Sequence, residues 1–279
     1  MFLAFDPAAL LRSLEMLVLG VAASFIGSIG GLGGGFIAIP ALRLIFKLPP
    51  ALVAGTSLFL VTANVASASV AYWRQGRIEK RAGLLMGLLA IPGSILGALA
   101  LRYVAAPGFD LSYAVLLLIF ALDLLRRRTS EARATPVQLP WMHPREFYDA
   151  LSDTTYTYRY SAPLAIVTGL VTGFLSSFFG IGGGIVALPV LLRVFALPSH
   201  IVAGTTHFVI VLSAPFGVVT HALRGDIDWA LALPLAAGGI IGALFGAHVA
   251  RRLSSPVLIR VLGVTLLLAA GSLILQHLI

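Results

Sequence analysis

The chain has 279 residues, 59% of them hydrophobic and only 11% charged, with a mean hydropathy of +1.00. A soluble domain carries about a quarter charged residues, so this composition excludes a water-covered globule and makes the lipid bilayer an obligatory partner. The net charge of +8 would suggest nucleic acid in a soluble protein but here reflects basic cytoplasmic loops, and the lack of cysteine removes disulfides, thiolate metal sites and thiol catalysis.

The first apolar segment, roughly 11–30, lacks a signal-peptide cleavage pattern ahead of a mature domain and reads as a retained span. It runs into Gly31-Leu32-Gly33-Gly34-Gly35 and a short apolar stretch, 34–47, punctuated by Pro40. That stretch is ~21 Å as a helix, less than the ~30 Å hydrocarbon core. The uncharged run 16–42 is too long for one helix and too short for two complete ones. The glycine turn is therefore expected at depth, as the break point of an interrupted helix. Segments at 51–73, 82–101 and 109–125 complete the first set.

Residues 126–160 are the only substantial polar stretch, with Arg126-Arg127-Arg128, Pro136, Pro140, Pro144 and the tyrosines Tyr156, Tyr158 and Tyr160. About 35 residues are too few for a domain with its own core, so this is read as a cytoplasmic linker, with a regulatory or partner-binding role as the weaker alternative. Five further apolar segments follow at about 161–179, 183–196, 200–223, 229–250 and 257–278. The uncharged run 160–192 holds a second glycine turn, Gly180-Ile181-Gly182-Gly183-Gly184, with Pro189 placed as Pro40 is.

The two sets are copies. An offset of 149 residues aligns Gly20–Pro107 with Gly169–Pro256 without a gap, with 28 identities in 88 pairs, against roughly a tenth by chance. The matches include both glycine turns, Leu48-Pro49 with Leu197-Pro198, Val53-Ala54-Gly55-Thr56 with Val202-Ala203-Gly204-Thr205, and Gly76 with Gly225. If every segment crosses, the repeats are inverted and 14 of the 19 basic residues fall on one side. If the short segments re-enter, the repeats are parallel and the split is 12 against 7. The bias of basic residues toward the cytoplasm favours inversion, with both termini outside and Arg43 and Lys47 snorkelling. The expected fold is thus an all-α integral membrane protein of two inverted repeats (8–10 spans), 1–125 and 161–279, joined by the linker 126–160.

Glycine clusters let a ligand approach backbone N–H groups, and the start of the following helix offers unpaired N–H groups and partial positive charge. Gly33, Gly34, Gly35 and Gly182, Gly183, Gly184 are therefore candidates for an anion cradle. Close helix packing or kinking is the competing reading. No Gly-Lys-Ser/Thr follows either turn, so neither is a nucleotide loop. The third segment of each repeat adds Thr56, Ser57, Thr62 and Asn64, and Thr205, Thr206, His207 and Ser213. Thr56, Ser57, Asn64, Thr205, Thr206 and His207 are taken as side-chain donors, with hydrogen bonding within and between helices as the alternative. His207, His221 and His248 are too scattered for a metal site; no metal or other cofactor is expected, and His248 reads as a packed neutral histidine. Gly93/Gly97 and Gly242/Gly246 read as close helix crossings. Asp123 reads as a paired or snorkelling interfacial acid, Asp226 and Asp228 as loop residues, and no acid is placed deep in the membrane. That argues against a carboxylate-built sodium or proton site.

The repeated Gly-x-Gly-Gly-Gly turn with its downstream proline, Val-Ala-Gly-Thr at 53–56 and 202–205, and the basic central linker resemble the TauE/SafE-type sulfite exporters, also called the sulfite exporter or toluene-sulfonate uptake permease family. The resemblance covers about residues 10–278. It implies a multi-pass transporter of prokaryotic plasma membranes that moves sulfite, sulfoacetate or another small sulfur-containing anion. It supplies no ligand residues, so the site rests on the repeat. The leading expectation is a secondary carrier exporting a small sulfur oxyanion, with one repeat-derived bundle rocking against the other. An uptake permease, an anion channel, and an intramembrane enzyme using His207 or His221 with a serine are the alternatives.

Overall fold

The computed structural model describes residues 7–125, 142–149, 153–250 and 255–278. Among them, helices follow the apolar segments closely: α1 (Pro7–Gly30), α2 (Gly35–Leu44), α3 (Pro50–Arg74), α4 (Lys80–Ala100) and α5 (Ala106–Leu125), then α6 (Ala162–Phe179), α7 (Gly184–Pro189), α8 (Ser199–Leu223), α9 (Trp229–Ala250) and α10 (Ser255–Leu278). Seven described helices are long and apolar enough to cross a bilayer, α2 and the helical run Gly184–Val194 being among the shorter ones. The protein is an all-α integral membrane protein with one small hairpin.

Local chemistry sets the element ends. Pro50 opens α3, where a missing N–H costs nothing. The Glu79 carboxylate caps α4 by accepting the N–H groups of Arg81 and Ala82, and Asp228 caps α9 by accepting those of Ala230 and Leu231. Beyond Pro189 the helix widens to a π turn over 190–194. Both short helices leave through a left-handed residue at the same repeat position, Lys47 and Ala196.

The helix pairing has two-fold character. α1 packs on α9 as α4 packs on α6, and α3 packs on α9 as α8 packs on α4; α3 meets α8, and α5 meets α10. The small-residue pairs are the contact surfaces. A methyl on Gly93 or Gly97 would overlap the carbonyls of Leu170 and Phe174, and one on Gly242 or Gly246 those of Val21 and Phe25. In lipid, such close backbone approach is what holds helices together. The tightest crossings therefore join one repeat to the other, so the two repeats interleave and do not form separate bundles. The repeat-related helices α3 and α8 run antiparallel: Tyr72 lies against Gly204, while Leu58 lies against Gly217.

The linker contributes a hairpin that the sequence reading did not name, and two expectations are corrected. β1 (His143–Asp149) and β2 (Thr154–Tyr160) pair antiparallel, with His143 opposite Tyr160. The β-branched and aromatic run Thr-Thr-Tyr-Thr-Tyr-Arg-Tyr suits a strand; Arg126–Trp141 and Ala150–Ser152 lie outside the described residues. Arg43 does not snorkel. Its guanidinium forms a two-pronged ion pair with Asp110 and donates to the Leu48 carbonyl. Asp110 is a buried acid near the start of α5, although no buried acid was expected. Asp123 pairs with Arg193, as an interfacial acid should.

Candidate functional site

Each interrupted helix ends in a turn that folds back on itself. Gly27 O accepts the N–H groups of Leu32 and Gly33, and Ser176 O those of Gly180 and Ile181. Gly34 and Gly183, at φ 80° and 70°, start α2 and α7 from the left-handed region. Only glycine enters that region without strain. The two turns touch. Gly35 lies so close to the Gly180 carbonyl and Ile181 that a methyl would clash, and Gly184 meets Gly31 and Leu32 in the same way. Val61 of α3 abuts both Gly33 and Gly182.

Among the described residues, six amides at this junction have no backbone acceptor. The first intrahelical acceptors are Gly34 O, which takes Ile37 and Ala38, and Gly183 O, which takes Val186 and Ala187. The N–H groups of Gly34, Gly35 and Phe36, and of Gly183, Gly184 and Ile185, precede these and have no backbone acceptor, yet every one of these residues is buried. Buried N–H groups without partners are rare and costly, and at a helix start they suit an anion.

The side chains expected at the site divide into two groups. Thr56 and Thr205 are used in structure: Thr56 Oγ1 accepts Asp228 N–H at 3.1 Å, and Thr205 Oγ1 accepts Glu79 N–H at 2.9 Å. Ser57 donates to Gly180 O at 2.9 Å, fixing the second turn. The Asn64 amide donates to Ser24 O and accepts from Ser28 Oγ, bracing α1. Thr62 and Ser213 bond to their own helix. Thr206 and His207 differ. Both are fully buried, and among the described residues neither Thr206 Oγ1 nor His207 Nε2 has a partner. His207 Nδ1 lies 2.8 Å from Ala203 O, so Nδ1 carries the proton and Nε2 presents a lone pair. The Tyr72 ring lies beside it, with centroids 5.4 Å apart.

Sequence reasoning missed three buried hydroxyls on the broken helices, Ser24, Thr172 and Ser176, none of which has a partner among the described residues. Thr172 and Ser176 flank Gly183 directly. Their signal was an i, i+4 pair of hydroxyls on the last turns of an apolar helix. His221 contacts Ser177 through its backbone carbonyl, at 2.9 Å, while the Ser177 hydroxyl faces Ser94; this is not a nucleophile–base pair. His248 is exposed on α9, which overturns its reading as a packed core histidine. Among the described residues no group of three or more His, Asp or Glu could hold a metal ion.

The two ends of the two-fold pair are not equivalent. A cleft of about 690 Å³ opens between the start of α1, the end of α2 and the start of α9, lined by Arg12, Glu15, Phe46, Leu48, Asp228 and Leu231. The repeat equivalents of Phe46 and Asp228, which are Phe195 and Glu79, lie under the hairpin. Arg159 N–H donates to Phe195 O at 2.9 Å, the Tyr160 ring meets the Phe195 ring, and Tyr158 bonds to Glu79.

Comparison with known proteins gives the same picture over the whole chain. The family model described as "Sulfite exporter TauE/SafE" matches residues 16–273. The chain is 28% identical over 268 residues to "Probable membrane transporter protein YunE" of Bacillus subtilis, covering 94% of this chain and 97% of that one. It is 30% identical over 232 residues to a "Probable membrane transporter protein" of Haemophilus influenzae, covering 82% and 81%. No solved structure matches the chain. An interleaved helical membrane fold, twin glycine turns with buried free amides, and a family match across both repeats agree: the chain belongs to the sulfite exporter TauE/SafE family and is a membrane transporter.

Proposed function

We propose that the protein is a secondary carrier that exports a small sulfur-containing oxyanion, sulfite or an organosulfonate such as sulfoacetate, across a prokaryotic cell membrane. The observation that carries this is the junction of the two glycine turns, where six buried amides lack backbone acceptors among the described residues, together with the unpartnered Thr206 Oγ1 and His207 Nε2 of α8, the helix whose Ala203 meets Gly31 of the first turn. Amides and a hydroxyl neutralise a small anion without a buried positive side chain. The bare Nε2 of His207 adds selectivity, because it accepts a proton-bearing oxygen and repels a fully ionised one. A monoanion that retains one O–H, such as hydrogen sulfite, fits both demands.

In this proposal the repeats are inverted in the membrane, the central linker is cytoplasmic, and both termini are outside. The antiparallel course of α3 and α8 and the 14-to-5 distribution of basic residues support that orientation. Because the repeats interleave, the moving units are mixed pairs such as α1 with α9 and α4 with α6, rather than one repeat against the other. The open cleft at one end and the docked hairpin at the other correspond to a form accessible from outside. An inside-negative potential favours anion export by about 2.3 kcal/mol per charge per 100 mV, so export needs no coupling ion.

Reconstituted protein tests this. Proteoliposomes loaded with labelled sulfite, sulfoacetate, thiosulfate or sulfate should release a sulfur anion with saturation and counterflow. Release of none of the four rejects the proposal, and ohmic current without counterflow makes the protein a channel.

A further inference from the structure

The last turn of an interrupted helix leaves carbonyls with no i+4 amide to accept. In the first repeat the Tyr72 phenol donates to one of these, Ser28 O, at 3.0 Å. At the repeat-related position His221 Nε2 lies 2.9 Å from Ser177 O. The task is the same but the chemistry differs. A phenol always brings its own hydrogen, whereas an imidazole nitrogen does so only when protonated.

The other ring nitrogen adds a second demand. His221 Nδ1 lies 3.3 Å from Asp226 Oδ2, and the same carboxylate oxygen receives Arg224 Nε at 2.8 Å. A carbonyl and a carboxylate only accept. Neutral imidazole has one N–H and can serve one of them, while imidazolium serves both. Partial burial works to raise the Asp226 pKa, but the hydrogen bonds from His221 and Arg224 outweigh it and hold the carboxyl below its ordinary range. His221 is fully buried, whereas the Asp226 side chain is 13% exposed, which gives a proton a way to solvent.

Among the described residues no further charged side chain is bonded to the ring: in the same loop Asp228 accepts the N–H groups of Ala230 and Leu231, and Arg102, beyond the end of α4, is held on Tyr103. α6 carries no charged residue over 162–179. Lys80 and Arg81 of α4 lie at the opposite end of α8, where Gly83 meets Thr205 and Phe208, and Arg74 of α3 lies at that same end, next to Trp73, which stacks on Phe208. Arg193 is paired with Asp123, and Arg12 and Glu15 of α1 line the open cleft.

We propose that His221 is a proton-operated latch on the broken helix α6: as imidazolium it bridges Ser177 O and the Asp226 carboxylate and holds the turn Gly180–Gly184 in place. Loss of the proton to solvent leaves a lone pair facing a carboxylate, which separates loop 224–228 from α6 and frees the turn. The consequence for transport rests on the reading that the glycine turns handle the anion; the latch itself does not.

The latch is tested by thermal stability scanned between about pH 5 and 9. The wild-type protein in nanodiscs should lose about 2–4 °C of thermal midpoint as pH rises across this range. His221→Tyr, which installs the Tyr72 arrangement, should be flat. Asp226→Asn should flatten too, because a carboxamide can donate to neutral Nδ1. An unchanged slope in His221→Tyr overturns the latch. If that variant fails to insert, ¹⁵N-histidine NMR of the wild type decides: a doubly protonated ring, recognised by its change in Asp226→Asn, supports the latch, and a neutral ring at pH 5 rejects it. In proteoliposomes His221→Tyr should remove the pH dependence of efflux that the latch adds and leave only that set by protonation of the anion itself. A lost stability slope in protein that transports none of the anions would keep the latch and reject the transport reading.

Discussion

The hydroxyl of Thr205 accepts the backbone N–H of Glu79 at 2.9 Å, and thereby ties α8 to the first turn of α4 across the repeat boundary. Thr56 does the same for Asp228 and α9. The matching geometry of these two bonds follows from the duplication, since each threonine and each acid is displaced by the same 149 residues. Thr205→Val should destabilise the protein by about 1–3 kcal/mol, because the Glu79 amide is left buried without an acceptor. Thr205→Ser should restore most of it. Thermal unfolding in nanodiscs reads the stability, and efflux per folded molecule should change little for either variant.

Gly183 has φ 70°, and a methyl there would lie 2.5 Å from the Thr172 carbonyl. Gly183→Ala, and likewise Gly34→Ala, should abolish transport while the protein still inserts. Gly225 is the control: it has φ 75° with open space around it, so Gly225→Ala should cost only about 1–2 kcal/mol of backbone strain and keep transport. Equal efflux from all three would make the turns packing features.

His207 occupies the position of Leu58 in the first repeat. His207→Leu removes a buried nitrogen that has no partner, so stability should hold or rise. Anion efflux should fall at least tenfold, equivalent to about 1.4 kcal/mol. A stable His207→Leu protein with normal efflux would remove His207 from the site.

Arg43 and Asp110 form a nearly buried ion pair, with side-chain exposures of 11% and 2%. Arg43→Met alone should destabilise by about 3–5 kcal/mol, because it strands a buried carboxylate. Arg43→Met with Asp110→Leu should recover most of that loss. A double-mutant cycle on thermal stability measures the coupling.

Tyr158 docks the hairpin on Glu79, and burial, together with the nearby Glu79 charge and hydrogen bond, pushes its phenol well above the ordinary tyrosine range. A raised pKa favours the protonated form in the folded state, so its contribution is complete below pH 10 and is lost as pH rises beyond it. Docking should therefore weaken progressively as pH rises beyond about 10. Tyr158→Phe should weaken docking at neutral pH and remove that alkaline step. Fluorescence from a probe on β1 follows both.

Composition, the 149-residue repeat and the helix segments were legible in the sequence because each rests on local properties. Apolar length selects a spanning helix, proline and glycine mark its interruptions, and small-residue spacing marks a crossing face. All of these act within a few residues of themselves, so the helix ends agree with the segments to within a few positions. The glycine turns were identified for the same reason.

Which polar side chains are free was not legible, because a hydroxyl's partner is chosen across the bundle. Thr56 and Thr206 look alike in sequence. The fold gives Thr56 the amide of Asp228 and leaves the Thr206 hydroxyl without a partner. Asp110 reads as an ordinary residue near the start of a segment, until the fold brings Arg43 to it from 67 positions away. The sequence by itself determined a duplicated, helix-built membrane protein with two broken helices. Only the tertiary structure decided that the repeats interleave, that the two turns meet with free amides, and that the matched threonines are bonded while Ser24, Thr172, Ser176, Thr206 and His207 are among the buried residues with an unpaired polar atom. The reason is physical: lipid rewards local apolarity, but each buried hydrogen bond is settled by what the rest of the chain places opposite it.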